Sequence, residues 1–261
     1  LLLGCGVIEL KTKSEVEAMR EAGRVVARAL QAVREHAAVG VSLRELDEVA
    51  HAVITEAGAE PLFLGYHPSW APSPFPAVVC TSVNEVVVHG IPSGRRLQDG
   101  DLLSVDCGAR LDGWCGDAAI SLVVGEPRAQ DKVLIDTAEQ ALADGVAAAV
   151  PGGRLGDVSH AIGVVGRGAG YGIPGMLGGH GIGRQMHEKP FVPNRGPAGT
   201  GTPLRPGLVL AIEPMFISGG DDGVSTAGDG WKVVADDGSR AVHVEHTVAI
   251  TEDGPQVLTL P

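Results

Sequence analysis

A chain of 261 residues, 44% of them hydrophobic and 20% charged, can bury a sizeable core as one large or two small, closely packed domains, which excludes a disordered chain. The formal net charge of −12 argues against a free-standing nucleic-acid binder, and no segment approaches the roughly 20 consecutive apolar residues of a membrane span. Cys5, Cys80, Cys107 and Cys115 form no CxxC pair and are too sparse for a disulfide scaffold, so a reducing, cytoplasmic setting is expected.

The chain opens on Leu1-Leu2-Leu3-Gly4-Cys5, which looks like the tail of a lipoprotein signal but has no basic segment or full apolar stretch before it. After a short N-terminal segment (1–12), Ser14-Glu15-Val16-Glu17 reads as a capping box opening a helix, with Val16, Met19, Gly23, Val26, Leu30 and Val33 on one face. On that helix Arg20, Arg24 and Arg28 recur at i, i+4 and i+8, either a stripe for an anionic partner such as ribosomal RNA or a solvated face paired with Glu17 and Glu21; the second reading is preferred. Ser42-Leu43-Arg44-Glu45 opens a second helix that ends near Gly58. A shift of 112 residues lays this unit on a later one: Gly40 falls on Gly152, Leu43 on Leu155, Glu45 on Asp157, Leu46 on Val158, Ala57 on Ala169 and Gly58 on Gly170. Two pseudo-symmetric halves, about 13–125 and 126–261, are therefore expected within a single domain, with a site between them.

Beyond the helices, acids stand at the ends of apolar runs. Asp106 closes Leu102 to Val105, and Glu213 closes Leu208 to Ile212, both read as buried strands. Asp112-Gly113 signals a hairpin that brings Asp117 to within a residue or two of facing Asp106. Alternation in Ala241 to Ile250 puts His243, Glu245 and Thr247 on one strand face. With His180 in a Gly-rich stretch, the set is four carboxylates and one imidazole: Asp106, Asp117, His180, Glu213 and Glu245. Each alone is most often a solvated surface group. Clustered, they repel: two like charges about 4 Å apart cost roughly 4 kcal/mol at an effective dielectric near 20. Two divalent ions balance four carboxylates, and oxygen-rich ligation with one imidazole suits Mn²⁺, Fe²⁺, Co²⁺ or Zn²⁺ rather than structural zinc. The chemistry expected of such a pair is hydrolysis.

Several segments then carry a family resemblance: Gly65-Tyr66-His67, Ser82 to Pro92 (SVNEVVVHGIP), Asp99-Gly100-Asp101, Val105-Asp106, Asp112 to Asp117 (DGWCGD), Gly178 to Gly183 (GGHGIG), His187-Glu188, Ile212-Glu213-Pro214-Met215 and Val244-Glu245-His246-Thr247. From about Lys11 to Leu260 the chain resembles the type I methionine aminopeptidases. The resemblance implies an α+β pita-bread fold, with a central antiparallel sheet, helices outside and a bimetal cleft, and removal of the initiator methionine from nascent polypeptides whose second residue is small. It further implies that Asp106 chelates one metal, Asp117 and Glu245 bridge the two, and His180 and Glu213 complete the other, with Glu213 as proton acceptor. His89 and His187 match the pair that hydrogen-bonds substrate backbone and the tetrahedral intermediate. Phe63, Tyr66, Phe75, Cys80, Met186 and Trp231 match the methionine pocket, although the family often has a smaller residue at Phe63 and an aromatic at Met186. Asn84 and Val86 match backbone ligands of a monovalent cation. A monomer is expected, with the N-termini of nascent polypeptides as partners, a transient ribosome contact, no specific nucleic acid and no membrane.

Prolidase, aminopeptidase P and creatinase share the fold but usually carry an extra N-terminal domain, for which the residues before the first helix leave no room. Type II methionine aminopeptidases carry an inserted helical domain, for which the spacings His180 to Glu213 and Glu213 to Glu245 leave none. A non-catalytic binding module on the same fold is the third alternative, disfavoured because all five ligands and both histidines remain. The segment Pro68-Ser69-Trp70-Ala71-Pro72-Ser73-Pro74 departs from the family, and its place between Tyr66 and Phe75 puts it at the cleft rim or makes it a tolerated surface insertion.

Overall fold

The computed structural model describes residues 8–261, so Leu1 to Cys5 lie outside the described residues. In chain order the elements are α1 (Lys13–His36), α2 (Leu43–Glu56), β1 (Glu60–Pro61), β2 (Val79–Val83), β3 (Val86–Val88), β4 (Asp101–Leu111), β5 (Trp114–Val124), α3 (Ala129–Ala148), α4 (Leu155–Gly168), β6 (Gly178–Gly181), β7 (Glu188–Pro193), β8 (Val209–Ile212), β9 (Met215–Ile217), β10 (Val224–Thr226), β11 (Val233–Ala235), β12 (Ala241–His243), β13 (His246–Thr251) and β14 (Gly254–Val257). All strand pairs are antiparallel. One sheet joins β1, β4 and β2 with β5 on β4, and another has the order β14-β13-β8-β6-β7.

Helix α1 forms because its apolar residues recur every three to four positions, and Val16, Met19, Gly23, Val26, Leu30 and Val33 are all buried. Its cap differs from the sequence expectation. Thr12, not Ser14, is the N-cap, its hydroxyl accepting from the Glu15 N–H while the Glu15 carboxylate accepts from the Thr12 N–H, and Ser14 lies inside the helix. Glu17, freed from capping, pairs with Arg20, and Glu21 pairs with Arg24 at 2.6 Å, so two of the three arginines are satisfied on the helix itself. Gly23 lets α1 approach closely: a Cβ there would run into the Leu258 carbonyl, and one on Gly116 of β5 would lie 2.8 Å from the Gly23 nitrogen.

Helix α2 carries the expected capping box, Ser42 with Glu45, and the shift of 112 residues maps its bounds onto those of α4. Asp157, at the place of Glu45, likewise accepts from the Arg154 N–H at 2.7 Å. Gly40 and Gly152 both have positive φ (91° and 87°), as do Gly58 and Gly170 (70° and 80°). These left-handed turns enter and leave the helices where a side chain would be strained. Around them lie two apolar cores. One packs α1 and α2 on β2, β4 and β5 through residues such as Leu46, Ile54, Leu103 and Val105; the other packs α3 and α4 on β8 and β13 through Leu134, Ile162, Leu210 and Val248. Residues of both halves, Asp106 of β4 and Asp117 of β5 with His180 of β6 and Glu213 after β8, line one cavity.

Candidate active site

The hairpin β4–β5 supplies two acids. Asp112 and Gly113 both have positive φ (50° and 80°), as a two-residue turn between strands requires, and Leu111 pairs with Trp114. This register sets Asp106 opposite Ala119 and Asp117 opposite Gly108, so the aspartates share a face two positions apart. Asp106 does not end its strand as expected; β4 runs on to Leu111 because Asp106 faces the cleft while its neighbours Val105 and Cys107 bury against the helices. The expected continuous strand through Glu245 is also broken. β12 pairs with β9 and β13 with β8, and at the switch between them Glu245 bridges to Ala119 through N–H···O bonds of 3.0 and 3.3 Å. Leaving the sheet there aims Glu245 at the hairpin acids. Thr247 secures the approach, its hydroxyl donating to the Asp117 carbonyl at 2.7 Å and accepting from the Asp117 N–H at 3.0 Å.

From the second half, β6 brings His180 beside Ala211 of β8, and Glu213 follows directly after β8. The His180 Nε2 is 3.7 Å from Glu213 Oε1. His180 Nδ1 lies 2.9 Å from the Gly181 carbonyl, which can only accept, so Nδ1 carries the proton and Nε2 turns a lone pair to the cleft. Ligating atoms of Asp117, His180 and Glu245 lie within 4.8 Å of one another.

This donor set fits cations. Asp106 Oδ1, Asp117 Oδ1 and Glu245 Oε1 are buried without any hydrogen-bond partner, which is costly for a charged oxygen unless a cation meets it. Without cations, burial pushes Asp106 up to about 7, opposed by His243 and reinforced by Glu213. Burial and the neighbouring carboxylates also push Asp117 and Glu245 well up. Bound divalent charge would oppose these shifts and favour the ionised carboxylates.

The two remaining histidines flank the acids. His89 follows β3 with φ of 59°, an uncommon backbone for a non-glycine residue, and such outliers concentrate at functional positions. Burial lowers it to about 4, against the raising effect of Glu213. His187 lies in bends before β7 rather than in a strand, its ring 4.3 Å from that of His180. Burial, then His180 and His89, lower it well below the ordinary histidine value. Both rings are therefore neutral near pH 7. Tyr66 Oη lies 2.9 Å from His187 Nδ1.

A cavity of about 110 Å³ opens beside the acids, lined by Phe63, Tyr66, Phe75, Cys80, Met186 and Trp231, all six of the residues singled out for a methionine pocket. Phe75 and Trp231 pack edge to face, their centroids 5.0 Å apart. Burial, with Asp106 and Asp117 nearby, raises the Cys80 thiol well up, so it serves as an apolar wall. Asn84 and Val86 lie away from this cleft: the Asn84 carbonyl accepts from the Ala241 N–H at 2.9 Å, and Val86 pairs with Val234.

Two polar residues at the site went unassigned from sequence. His243, 3% exposed, sets Nε2 3.4 Å from Glu213 Oε2 and 3.8 Å from Glu245 Oε2. Burial alone would lower its pKa, but Glu213 and Asp106 outweigh it and raise it. The strand alternation had placed His243 on the face of Glu245, and that was the signal available. Asn194, also buried, donates to the Glu213 carbonyl at 2.9 Å, and nothing in its sequence context marks it.

Known proteins agree with this architecture. A methionine aminopeptidase 1 of Mycobacterium tuberculosis is 50% identical, over 99% of this chain and 97% of its own length. The crystal structure of the methionine aminopeptidase from Thermotoga maritima superposes with a TM-score of 0.93 at 40% identity, over 98% of this chain and all of that one. Prolidase from Pyrococcus furiosus matches with a TM-score of 0.76 at 25% identity, but only 65% of that chain is covered. The fold is thus the pita-bread fold that the resemblance implied. Residues 17–252 match the family model, and the chain belongs to metallopeptidase family M24.

Proposed function

We propose that this chain removes the N-terminal methionine from nascent polypeptides whose second residue is small, as a metal-dependent aminopeptidase. The observation that carries this reading is the junction of two features: in one cavity, walls of Phe63, Phe75, Cys80, Met186 and Trp231 adjoin a buried, cation-demanding acid cluster. Asp106, Asp117, His180, Glu213 and Glu245 would hold two divalent ions, Co, Mn, Fe or Zn. When bound, such ions supply Lewis acidity and a water whose pKa lies near 7. We treat the chain as one catalytic domain of two halves, near 13–125 and 126–261, with the ligands divided between them. Asn84 and Val86 would offer carbonyls to a monovalent cation.

Each residue's part follows from its chemistry. Phe63, Phe75, Cys80, Met186 and Trp231 enclose the methionine side chain by dispersion and exclude water from it. Glu213 accepts the proton of the attacking water and passes it to the leaving amine. The neutral rings of His89 and His187 donate N–H groups to the substrate backbone and to the oxygen where negative charge grows. Tyr66 orients the second ring: its phenol donating into His187 Nδ1 leaves the proton on Nε2, facing the cleft. A bulky second residue would crowd the His89 wall, which limits that residue to small side chains.

Release of methionine from Met-Ala-Ser, with and without chelator, tests the reading. Turnover should stop on chelation and return with Co²⁺, Mn²⁺ or Fe²⁺, and Met-Leu-Ser should be a poor substrate. Equal kcat/KM for the two peptides, or full turnover by metal-free protein, would count against it.

A further inference from the structure

The segment 68–74 is not a loose insertion. Its base is closed by two hydrogen bonds, Gly65 N–H to Phe75 carbonyl and Phe75 N–H to Tyr66 carbonyl, both 2.8 Å. Within it, the Ala71 N–H donates to the Pro68 carbonyl at 3.0 Å, and His67 Nε2 lies 3.2 Å from the Ala71 carbonyl. Its crown is pinned to the pocket: the Trp231 indole N–H donates to the Ser73 carbonyl at 3.1 Å, and Ala71 is buried in the same apolar cluster as Phe63, Phe75 and Trp231. Pro72 sits so close to Gly230 that no Cβ fits there. Three prolines within 68–74 lower the entropy lost in holding this shape.

This anchorage holds Trp70 in one place. Its ring stacks over His89, 6.2 Å between centroids with 22° between planes, and meets Trp231 edge-on at 5.0 Å. Trp70 lines the cavity mouth yet remains 48% exposed, whereas Phe75 and Trp231 beneath it are 2% and 3% exposed. An indole so held offers one apolar face to whatever leaves the pocket past His89.

We infer that Trp70 is a specificity-determining residue that takes the side chain of the third substrate residue and favours an aromatic or large aliphatic group there. The inference rests on the proposed aminopeptidase activity. With methionine in the cavity and the first carbonyl at the acids and His89, the chain must run outward past His89, across the exposed indole. The second residue is held small beside His89, so the third is the first whose side chain can reach Trp70. An aromatic pair contributes about 0.5–1.5 kcal/mol, which corresponds to a preference of about two- to twelvefold in kcat/KM.

The experiment compares Met-Ala-Phe-Ser with Met-Ala-Ser-Ser on Mn²⁺-loaded wild type, W70A, W70F and the loop control S69A. Wild type and S69A should favour the Phe peptide by about fivefold, mainly through KM, W70F should keep most of that preference, and W70A should bring the ratio close to one. W70Q, without a ring, gives the same reading should W70A not fold. Wild type without a preference, W70A retaining it, or S69A losing it equally overturns the inference while the aminopeptidase reading stands. Wild type that cleaves neither peptide overturns that reading and this inference with it.

Discussion

Tyr66 Oη and His187 Nδ1 lie 2.9 Å apart, linking the start of the proline-rich segment to the histidine beside the acid cluster. Burial raises the Tyr66 phenol above its usual value, so it remains a hydrogen-bond donor at neutral and mildly basic pH. Tyr66→Phe keeps the ring and removes only the hydroxyl. Loss of one hydrogen bond, about 1 kcal/mol, should lower kcat roughly fivefold through the wrong His187 tautomer, with little change in melting temperature. Steady-state kinetics on Met-Ala-Ser check this; wild-type kcat would remove Tyr66 from the orienting role.

The orphaned oxygens of Asp106, Asp117 and Glu245 make metal binding a stability event as well as a catalytic one. A cation that binds only the folded state at about 100 times its Kd adds roughly 2.7 kcal/mol, so Mn²⁺ should raise Tm by about 5–10 °C. Glu245→Ala should abolish most of that rise. Calorimetry with and without Mn²⁺ is the measurement, and a Tm indifferent to metal would remove the cation from the acid cluster.

Glu213 has two proposed tasks that a single atom separates. Glu213→Gln keeps an oxygen toward the cleft but cannot take a proton, so kcat should fall by about 10²-fold or more while KM changes little. Metal content measured on the same sample guards the interpretation: full occupancy with unchanged kcat would take the proton-acceptor role from Glu213.

Away from the cleft, Asp222 ties α4 to its neighbours. It accepts from Arg167 and Arg195 at 2.6 Å each and from the Ile173 N–H at 2.8 Å. These contacts, Arg167 first, hold its carboxyl down to about 2 against the ordinary 3.8. A folded-state pKa below the unfolded one means that the stabilisation is complete above about pH 4 and is lost as pH falls toward 2. Discounted for partial exposure, it amounts to about 1 kcal/mol. Urea unfolding of wild type and Asp222→Asn should differ by about that much at pH 7, and the gap should shrink below about pH 4 and nearly close at about pH 2; a gap that persists in acid would assign the loss to packing instead.

Periodicity was enough to read α1 and α2, because their buried faces repeat every three to four residues, and a two-residue Asp-Gly turn was enough to bring Asp106 and Asp117 to within a residue or two of facing each other; the register then put them on one face. The Ser42 cap was likewise legible, whereas at α1 the pattern was satisfied equally by Thr12 with Glu15 and Ser14 with Glu17. The choice fell to the nitrogen that needed a partner where the helix begins.

Local sequence also determined which residue types could meet at a cleft, since acids at the ends of apolar runs are costly unless something charged faces them. Only tertiary structure decided how they meet. Strand alternation assumes one partner along the whole strand, and Ala241 to Ile250 changes partner at Glu245, from β9 to β8, which turns that carboxylate out of the sheet toward Asp117. His243 owes its place beside Glu213 to the pairing of β12 with β9, which sets it opposite Met215, and Asn194 to a contact across 19 residues of chain. Trp70 shows the limit most plainly: the sequence placed it on a loop between two pocket residues, but the Trp231 to Ser73 hydrogen bond, formed across 158 residues, is what fixes its ring over His89. Such contacts depend on register between distant segments, which no local pattern of residues encodes.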